Sequence, residues 1–322
     1  VPNLLRYDGS AVVIDPKGEL ARVTAKARQK KGQKVVILDP FNENGRHDCG
    51  SFNPLDELNP NSRSLVVEAG AIADAMITPN DRDPHWSNSA RILLRALILL
   101  TVTMKPTERN LVTVRRLLML THPMIALYKK GGNLKSDDDA LFVALMACIH
   151  EDASGTGKAF FGMSERERAS ILSTARTETD FLGDERMHPS LMSSSLRLSE
   201  LKTGKATLYL CLPATRMNTH SKWLRIIVDL AVAAMEAVKP KPDIPVLFLL
   251  DEFHVLGHMK SIETAAGLMA GFGVKLWVVL QDLSQLEGAY PGTWQTFVGN
   301  AGVLTAWGNS DNGTLKYLTE RL

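Results

Sequence analysis

The run Val246-Leu247-Phe248-Leu249-Leu250 ends abruptly in Asp251-Glu252. Pro245 precedes it, and its residues are aliphatic and aromatic, so it reads as a strand buried on both faces. Such a strand cannot keep an unpaired charge inside its sheet, because a desolvated carboxylate is too costly. Asp251 and Glu252 must therefore emerge at the C-terminal end of the strand, the edge at which open α/β sheets bind ligands. A carboxylate there can hold the Mg²⁺ of a bound nucleotide, and a second one beside it can accept a proton from an attacking water. The same pair would also serve simply as the end of a strand and the start of a helix.

Further strand-like runs fall at 11–14, 35–38, 207–212, 276–280 and 303–307. Helical patterns separate them at 20–31, 223–238, 262–270 and 282–287. This alternation predicts an α/β fold with a mainly parallel central sheet and helices on both faces. Between Asn53 and Ser193 the strand pattern disappears. Helical periods run over 65–76, 85–104, 112–120, 138–150 and 166–181, punctuated by Pro79, Pro84, Pro106, Pro123, Gly131-Gly132 and Gly155. The expected organisation is an α/β domain in two parts, 1–54 and 194–322, interrupted by an all-α inserted domain over 55–193. Asp137-Asp138-Asp139 marks a solvated helix start.

Composition narrows the function classes. A net charge of +2 gives no global basic field, so any nucleic-acid contact must come from local patches. The cluster Arg22, Lys26, Arg28, Lys30, Lys31 and Lys34 is either such a patch or a solvated helix face. Cys49, Cys148 and Cys211 have no metal-ligand spacing and are too few for a disulfide scaffold, which fits a reducing cytosol. The best membrane candidate, 92–104, contains Arg95 and is too short to span, so a buried helix is expected there. The chain starts at Val1 without an initiator Met, and the expectation is a piece of a longer protein.

Three smaller motifs bear on chemistry. Asp15-Pro16-Lys17-Gly18-Glu19 follows the first strand directly, as a polar turn at the same sheet edge as Asp251; Asp15, Lys17 and Glu19 are expected at a nucleotide–Mg²⁺ site. Gln281 closes the run 276–280, where an amide can orient water or sense a γ-phosphate. Gly155-Thr156-Gly157-Lys158 resembles half of a phosphate loop, but Asp152 and Ala159 occupy positions that need Gly and Ser or Thr, and a helix precedes it; Gly204-Lys205-Ala206 fails likewise. His254 and His258, four apart, have no third ligand in register for a metal.

Pro2-Asn3-Leu4-Leu5, Asp15 to Glu19, Phe52-Asn53-Pro54-Leu55, Leu250-Asp251-Glu252-Phe253 and Leu280-Gln281-Asp282-Leu283-Ser284-Gln285-Leu286 together resemble the type IV secretion coupling proteins, the TraG/TraD-like conjugative ATPases. The likeness runs in order along nearly the whole chain. It implies a RecA-like P-loop NTPase motor with an all-α domain inserted between its strands, using ATP and Mg²⁺. It implies a homo-hexamer on the cytoplasmic face of the bacterial inner membrane, with membrane helices and the Walker A lysine ahead of Val1; without that loop this chain is expected to be inactive. Partners would be single-stranded DNA with its relaxase, or protein effectors, and components of the secretion channel. By position, Asp251 becomes the Mg²⁺-associated acid, Glu252 the catalytic glutamate, and Gln281 the glutamine of the next strand end. Some members carry an arginine where this chain has Ala270; Lys260 and Lys275 are out of register. Rival readings are another hexameric DNA translocase of the FtsK/HerA-like class, which the long insertion before the Asp251 strand disfavours, and a non-hydrolysing module that recruits substrate.

Overall fold

A computed structural model describes the chain except residues 44, 46, 47, 79–82, 240, 321 and 322; the side chains of 265 and 268–270 are likewise outside the described set. Pro79 therefore lies outside the described residues. In chain order the elements are α1 (Pro2–Arg6), β1 (Ala11–Ile14), α2 (Glu19–Lys30) and β2 (Lys34–Leu38). Eight helices follow: α3 (Leu65–Met76), α4 (Pro84–Val102), α5 (Leu111–Leu118), α6 (Pro123–Gly131), α7 (Asp137–Met146), α8 (Glu151–Phe161), α9 (Glu165–Glu178) and α10 (His188–Leu191). The chain continues through α11 (Glu200–Thr203), β3 (Ala206–Leu210), α12 (Met217–Ala237), β4 (Val246–Leu250), α13 (Lys260–Phe272) and β5 (Val274–Val278). It closes with α14 (Leu283–Ala289), α15 (Trp294–Gly299) and α16 (Asn312–Thr319). Two compact units result: Val1–Gly50 with Leu196–Leu322, and Ser51–Ser195.

The first unit is built on one five-stranded sheet, order β2-β3-β1-β4-β5, parallel throughout. This is the α/β, RecA-like architecture. Every residue of β1, β3 and β4 is buried, as parallel strands covered on both faces require. β5 alternates in burial and leaves Trp277 exposed, the mark of an edge strand. Register decides what the sheet presents. Ile14 pairs with both Leu210 and Leu250, and Leu250 with Val278, so neighbouring strands end flush and their next residues share one edge.

Two strand expectations change. The run at 276–280 pairs instead as β5, two residues earlier, because Val246 pairs with Val274. Residues 303–307 form no strand: Val303 is 83% and Trp307 78% exposed, and among the described residues the segment has no ladder partner. Apolar alternation produces a strand only where a neighbouring edge supplies hydrogen bonds.

The basic cluster on α2 also resolves differently from a patch. Arg28 is fully buried, donating through Nε to Thr207 Oγ1 (2.6 Å) and through its Nη atoms to the carbonyls of Leu4 (2.6 Å) and Gly9 (2.7 Å). It ties α1 and α2 to β3. Lys31 pairs with Asp8 at 2.8 Å, Lys34 with Glu200 at 2.9 Å and Arg22 with Glu19 at 4.0 Å.

The second unit contains helices and short 3₁₀ turns and no strand among its described residues. Its entering and leaving segments are tied together: Phe52 N donates to Ser190 O and Ser195 N to Ser51 O, each at 2.8 Å. That stem places its limits at 51 and 195 rather than at 55 and 193. Helix α7 begins with the Asp137 triplet, and Ser136 Oγ accepts from Asp139 N at 3.0 Å. The pattern expected to run from 138 to 150 stops at Met146, where the chain turns into α8. Among the described residues of either unit, no helix is long and apolar enough to cross a membrane.

Gly155-Thr156-Gly157-Lys158 lies inside α8 and forms no loop. Gly157 is there because α8 packs closely on α7: a Cβ would come within 2.7 Å of Met146 N and 2.8 Å of Phe142 O. Gly155 faces open space. Gly157→Ala should lower stability by about 1–3 kcal/mol through overpacking. Gly155→Ala in the same helix should instead raise it, by up to about 1 kcal/mol from helix propensity. Thermal melts of the two variants check this pair of opposite signs.

Candidate functional site

The flush strand ends bring together the residues expected from sequence. At the end of β1, Asp15 N donates to Leu210 O (2.9 Å), and Gly18 N to Asp15 O (3.1 Å). Gly18 has φ +64°, the left-handed backbone that a side chain disfavours, and this lets the turn enter α2 at once. Asp15 Oδ2 accepts from Ala21 N at 2.7 Å, and its side chain is 2% exposed. The carboxylate is thus taken up by amides at the start of α2. Asp15 thus fixes the turn through Oδ2 and also lines the cavity described below. Lys17 and Glu19 are the exposed members of that turn.

At the end of β4 the chain makes a constrained bend. Glu252 N donates to Asp251 Oδ1 at 3.0 Å. Phe253 N donates to Val279 O at 3.1 Å, and Val279 N to Leu250 O at 3.0 Å, which pins the bend against the chain leaving β5. The Phe253 ring is buried and lies parallel to Tyr290, 5.8 Å between centroids, with Phe297 at 6.0 Å. Burial pushes the Tyr290 phenol up, so it stays neutral within this cluster. Between a strand end and a buried ring, Glu252 takes φ 50° and ψ 44°, left-handed backbone that is unfavourable for any residue but glycine. Its carboxylate is turned outward and half-buried.

Gln281 Nε2 donates to Glu252 Oε2 at 3.4 Å. The Gln281 backbone is held in turn: its N–H donates to Gln285 Oε1 (3.0 Å) and its carbonyl accepts from Asn309 Nδ2 (3.0 Å). Asp15, Lys17, Glu19, Asp251, Glu252 and Gln281 all line one cavity of about 400 Å³. Sequence reasoning missed two further wall residues, Asn218 at the start of α12 and His254. His254 had been paired with His258, but they sit on a 3₁₀ turn and its exit, and His258 faces Glu263 at 3.2 Å. The signal available was the position of His254 two residues beyond Glu252. A second cavity, about 380 Å³, lies in the helical unit beside His122, Lys129 and Asp137 and contains no paired carboxylates.

Burial raises the pKa of Asp251; the neighbouring Glu252 charge adds to this, while the Glu252 amide and Lys17 oppose it. Burial also raises Asp15, against the amides of α2, and the charge of Asp251 contributes in the same direction. Carboxylates crowded and desolvated in this way suit a divalent cation, which would relieve both penalties with hard oxygen donors. No group of three or more His, Cys, Asp or Glu residues fit to hold a metal occurs among the described residues.

The model of the family described as type IV secretory system, conjugative DNA transfer, matches residues 1–322. The chain belongs to this family. It is similar to VirD4 of Rhizobium radiobacter, 26% identical over 335 residues, covering 100% of this chain and 45% of that protein. TraG of Agrobacterium fabrum, a conjugal transfer protein, is likewise 26% identical, covering 100% of this chain and 48% of its own length. The chain thus spans about half the length of the curated relatives it matches. Among solved structures, the plasmid coupling protein TrwB in complex with ADP and Mg²⁺ superposes with a TM-score of 0.52 at 16% identity, covering 93% of this chain and 70% of that one. At that identity the likeness bears on the fold alone. The side chain of Ala270, the position singled out in the sequence for a trans-acting arginine, lies outside the described residues.

Stability should carry the signature of the crowded carboxylates. A carboxyl whose folded pKa is raised contributes stability below its ordinary value, about 3.9, and that contribution is lost as pH rises through the shifted value. Asp251→Asn removes the charge while its Oδ1 still accepts from Glu252 N. The variant should therefore melt higher than the parent at neutral pH, with the difference shrinking as pH falls into the carboxylate range. Melting temperatures across pH 4 to 8 check this; a variant less stable at neutral pH contradicts it.

Proposed function

We propose that, in the whole protein, the cavity at the C-terminal edge of the sheet forms part of a site that binds Mg²⁺–ATP and hydrolyses it. The observation that carries this reading is the placement of Glu252: beside Asp251, turned into the cavity, with Gln281 Nε2 3.4 Å from its Oε2. Asp251 would hold Mg²⁺, which when bound supplies charge neutralisation for the transferring phosphoryl group. Lys17, the exposed cation of the β1–α2 turn, adds positive charge on the same wall. Glu252 accepts the proton of the attacking water, and Gln281 orients that water or the carboxylate itself. Asp15 fixes the turn that presents Lys17. The TrwB structure with ADP and Mg²⁺ supports nucleotide as the ligand class.

The whole protein is read as a coupling ATPase that passes single-stranded DNA with its attached relaxase, or protein effectors, to a type IV secretion channel. It would work as a homo-hexamer on the cytoplasmic face of the bacterial inner membrane, anchored through helices outside these residues. Family membership supports this reading. The helical unit is assigned the recognition of cargo. With a net charge of +2, attraction to DNA would rest on a few Lys and Arg and fall as salt rises.

Glu252→Gln in the whole protein should lower ATP turnover by at least about 10²-fold, the usual scale of a lost general base. Nucleotide binding should be retained, because the amide is isosteric. Asp251→Asn should weaken Mg²⁺-dependent nucleotide binding instead. Steady-state ATPase rates and calorimetric titrations with and without Mg²⁺ separate the two; near-normal turnover by Glu252→Gln would show that the base is another residue.

A further inference from the structure

Glu252 has more than one neighbour. His254 Nδ1 lies 3.4 Å from Glu252 Oε2, the same oxygen that Gln281 Nε2 approaches at 3.4 Å. His254 Nδ1 is shielded from water and makes no hydrogen bond among the described residues. A buried ring nitrogen without a partner is costly, and that oxygen lies within ion-pair distance but out of line for a hydrogen bond. His254 also lies on the wall of the cavity, in the same 3₁₀ turn that the buried Phe253 ring anchors.

We propose that His254 is a positioning residue for Glu252, with its Nδ1–H donating to Oε2. Two donors then converge on one carboxylate oxygen, from the turn after β4 and from the segment after β5. The other oxygen, Oε1, accepts no hydrogen bond among the described residues, so the carboxylate presents one defined lone-pair direction to the cavity. The left-handed backbone at Glu252 sets where the side chain starts, and the two donors set where it ends. A single donor would leave the carboxylate free to rotate about its last torsion, which is broad and weakly restrained. The required tautomer is the one protonated at Nδ1; the geometry does not call for a charged ring.

This inference rests on Glu252 being the base of ATP hydrolysis, and the test separates the two. In the whole protein, ATP turnover would be measured at saturating and limiting ATP, alongside binding of a non-hydrolysable ATP analogue, for wild type, Glu252→Gln, His254→Leu and His254→Asn. The asparagine places an amide donor near the position of Nδ1, and leucine fills the space without one. His254→Leu should lower kcat about tenfold, the rate equivalent of one modest hydrogen bond, with KM and analogue binding unchanged. His254→Asn should recover most of kcat. If Glu252→Gln is inactive while His254→Leu turns over at the wild-type rate, or if leucine and asparagine are equally impaired, the positioning role is overturned and the base assignment stands. If Glu252→Gln retains wild-type turnover, or the wild type shows none, both fall together.

Discussion

The site depends on the register between β1 and β4. Ile14 sits opposite Leu250, so the next residue of each strand, Asp15 and Asp251, emerges side by side. A shift of one residue would send either carboxylate into a covered face, where it has no partner. The apolar content of both strands excludes that alternative, since all their residues are buried. The register thus fixes two acids at a partly desolvated edge, and the rest of the unit manages the consequence. Asp15 is absorbed by the amides of α2, while Asp251 keeps the Glu252 amide and the field of Lys17. One acid is held by the amide of a helix start, the other by the amide of the residue that follows it.

The backbone at Glu252 shows which local effect prevails. Left-handed geometry costs a non-glycine residue roughly 1–2 kcal/mol. Burying a phenylalanine contributes about 1.5–3 kcal/mol, and a well-placed aromatic neighbour adds about 0.5–1.5 kcal/mol. The Phe253 ring, packed on Tyr290 and Phe297, therefore outweighs the strain at the preceding residue. A hydrophobic anchor drives a polar residue into an unfavourable backbone, and the outward aim of the carboxylate follows. Such strain is common at functional sites, where the surroundings over-determine it.

Much of this edge was legible because it is written in consecutive residues. Five apolar residues ending in two acids, a charged turn after β1 and a glutamine after β5 are all local signals, and the described cavity gathers all six residues singled out from them. What sequence did not reveal was long-range. The charged turn did not announce that Asp15 Oδ2 would accept from Ala21 N. Arg28 looked like part of a basic stripe because nothing in its own segment announces the carbonyls of Leu4 and Gly9. The strand pattern at 303–307 is locally sound but has no partner among the described residues. Phe253 and Tyr290 are too far apart in the chain for either to imply the other.

The position of the helical unit in the chain follows from the same sheet. β2 and β3 are neighbours and parallel, so the chain must in any case cross over between them, and a hairpin is excluded. An insertion in an obligatory crossover interrupts no ladder. Its entropic cost is also small: each doubling of a flexible loop adds only about 0.6 kcal/mol, and here the stem bonds of Ser51 with Ser195 and of Phe52 with Ser190 close the unit near its own ends. The sheet then experiences the insertion as a short crossover, whatever its length. The five pairs from Lys34 with Ala206 to Leu38 with Leu210 run unbroken on either side of the insertion. A unit attached this way can change its surface without disturbing the carboxylates at the sheet edge.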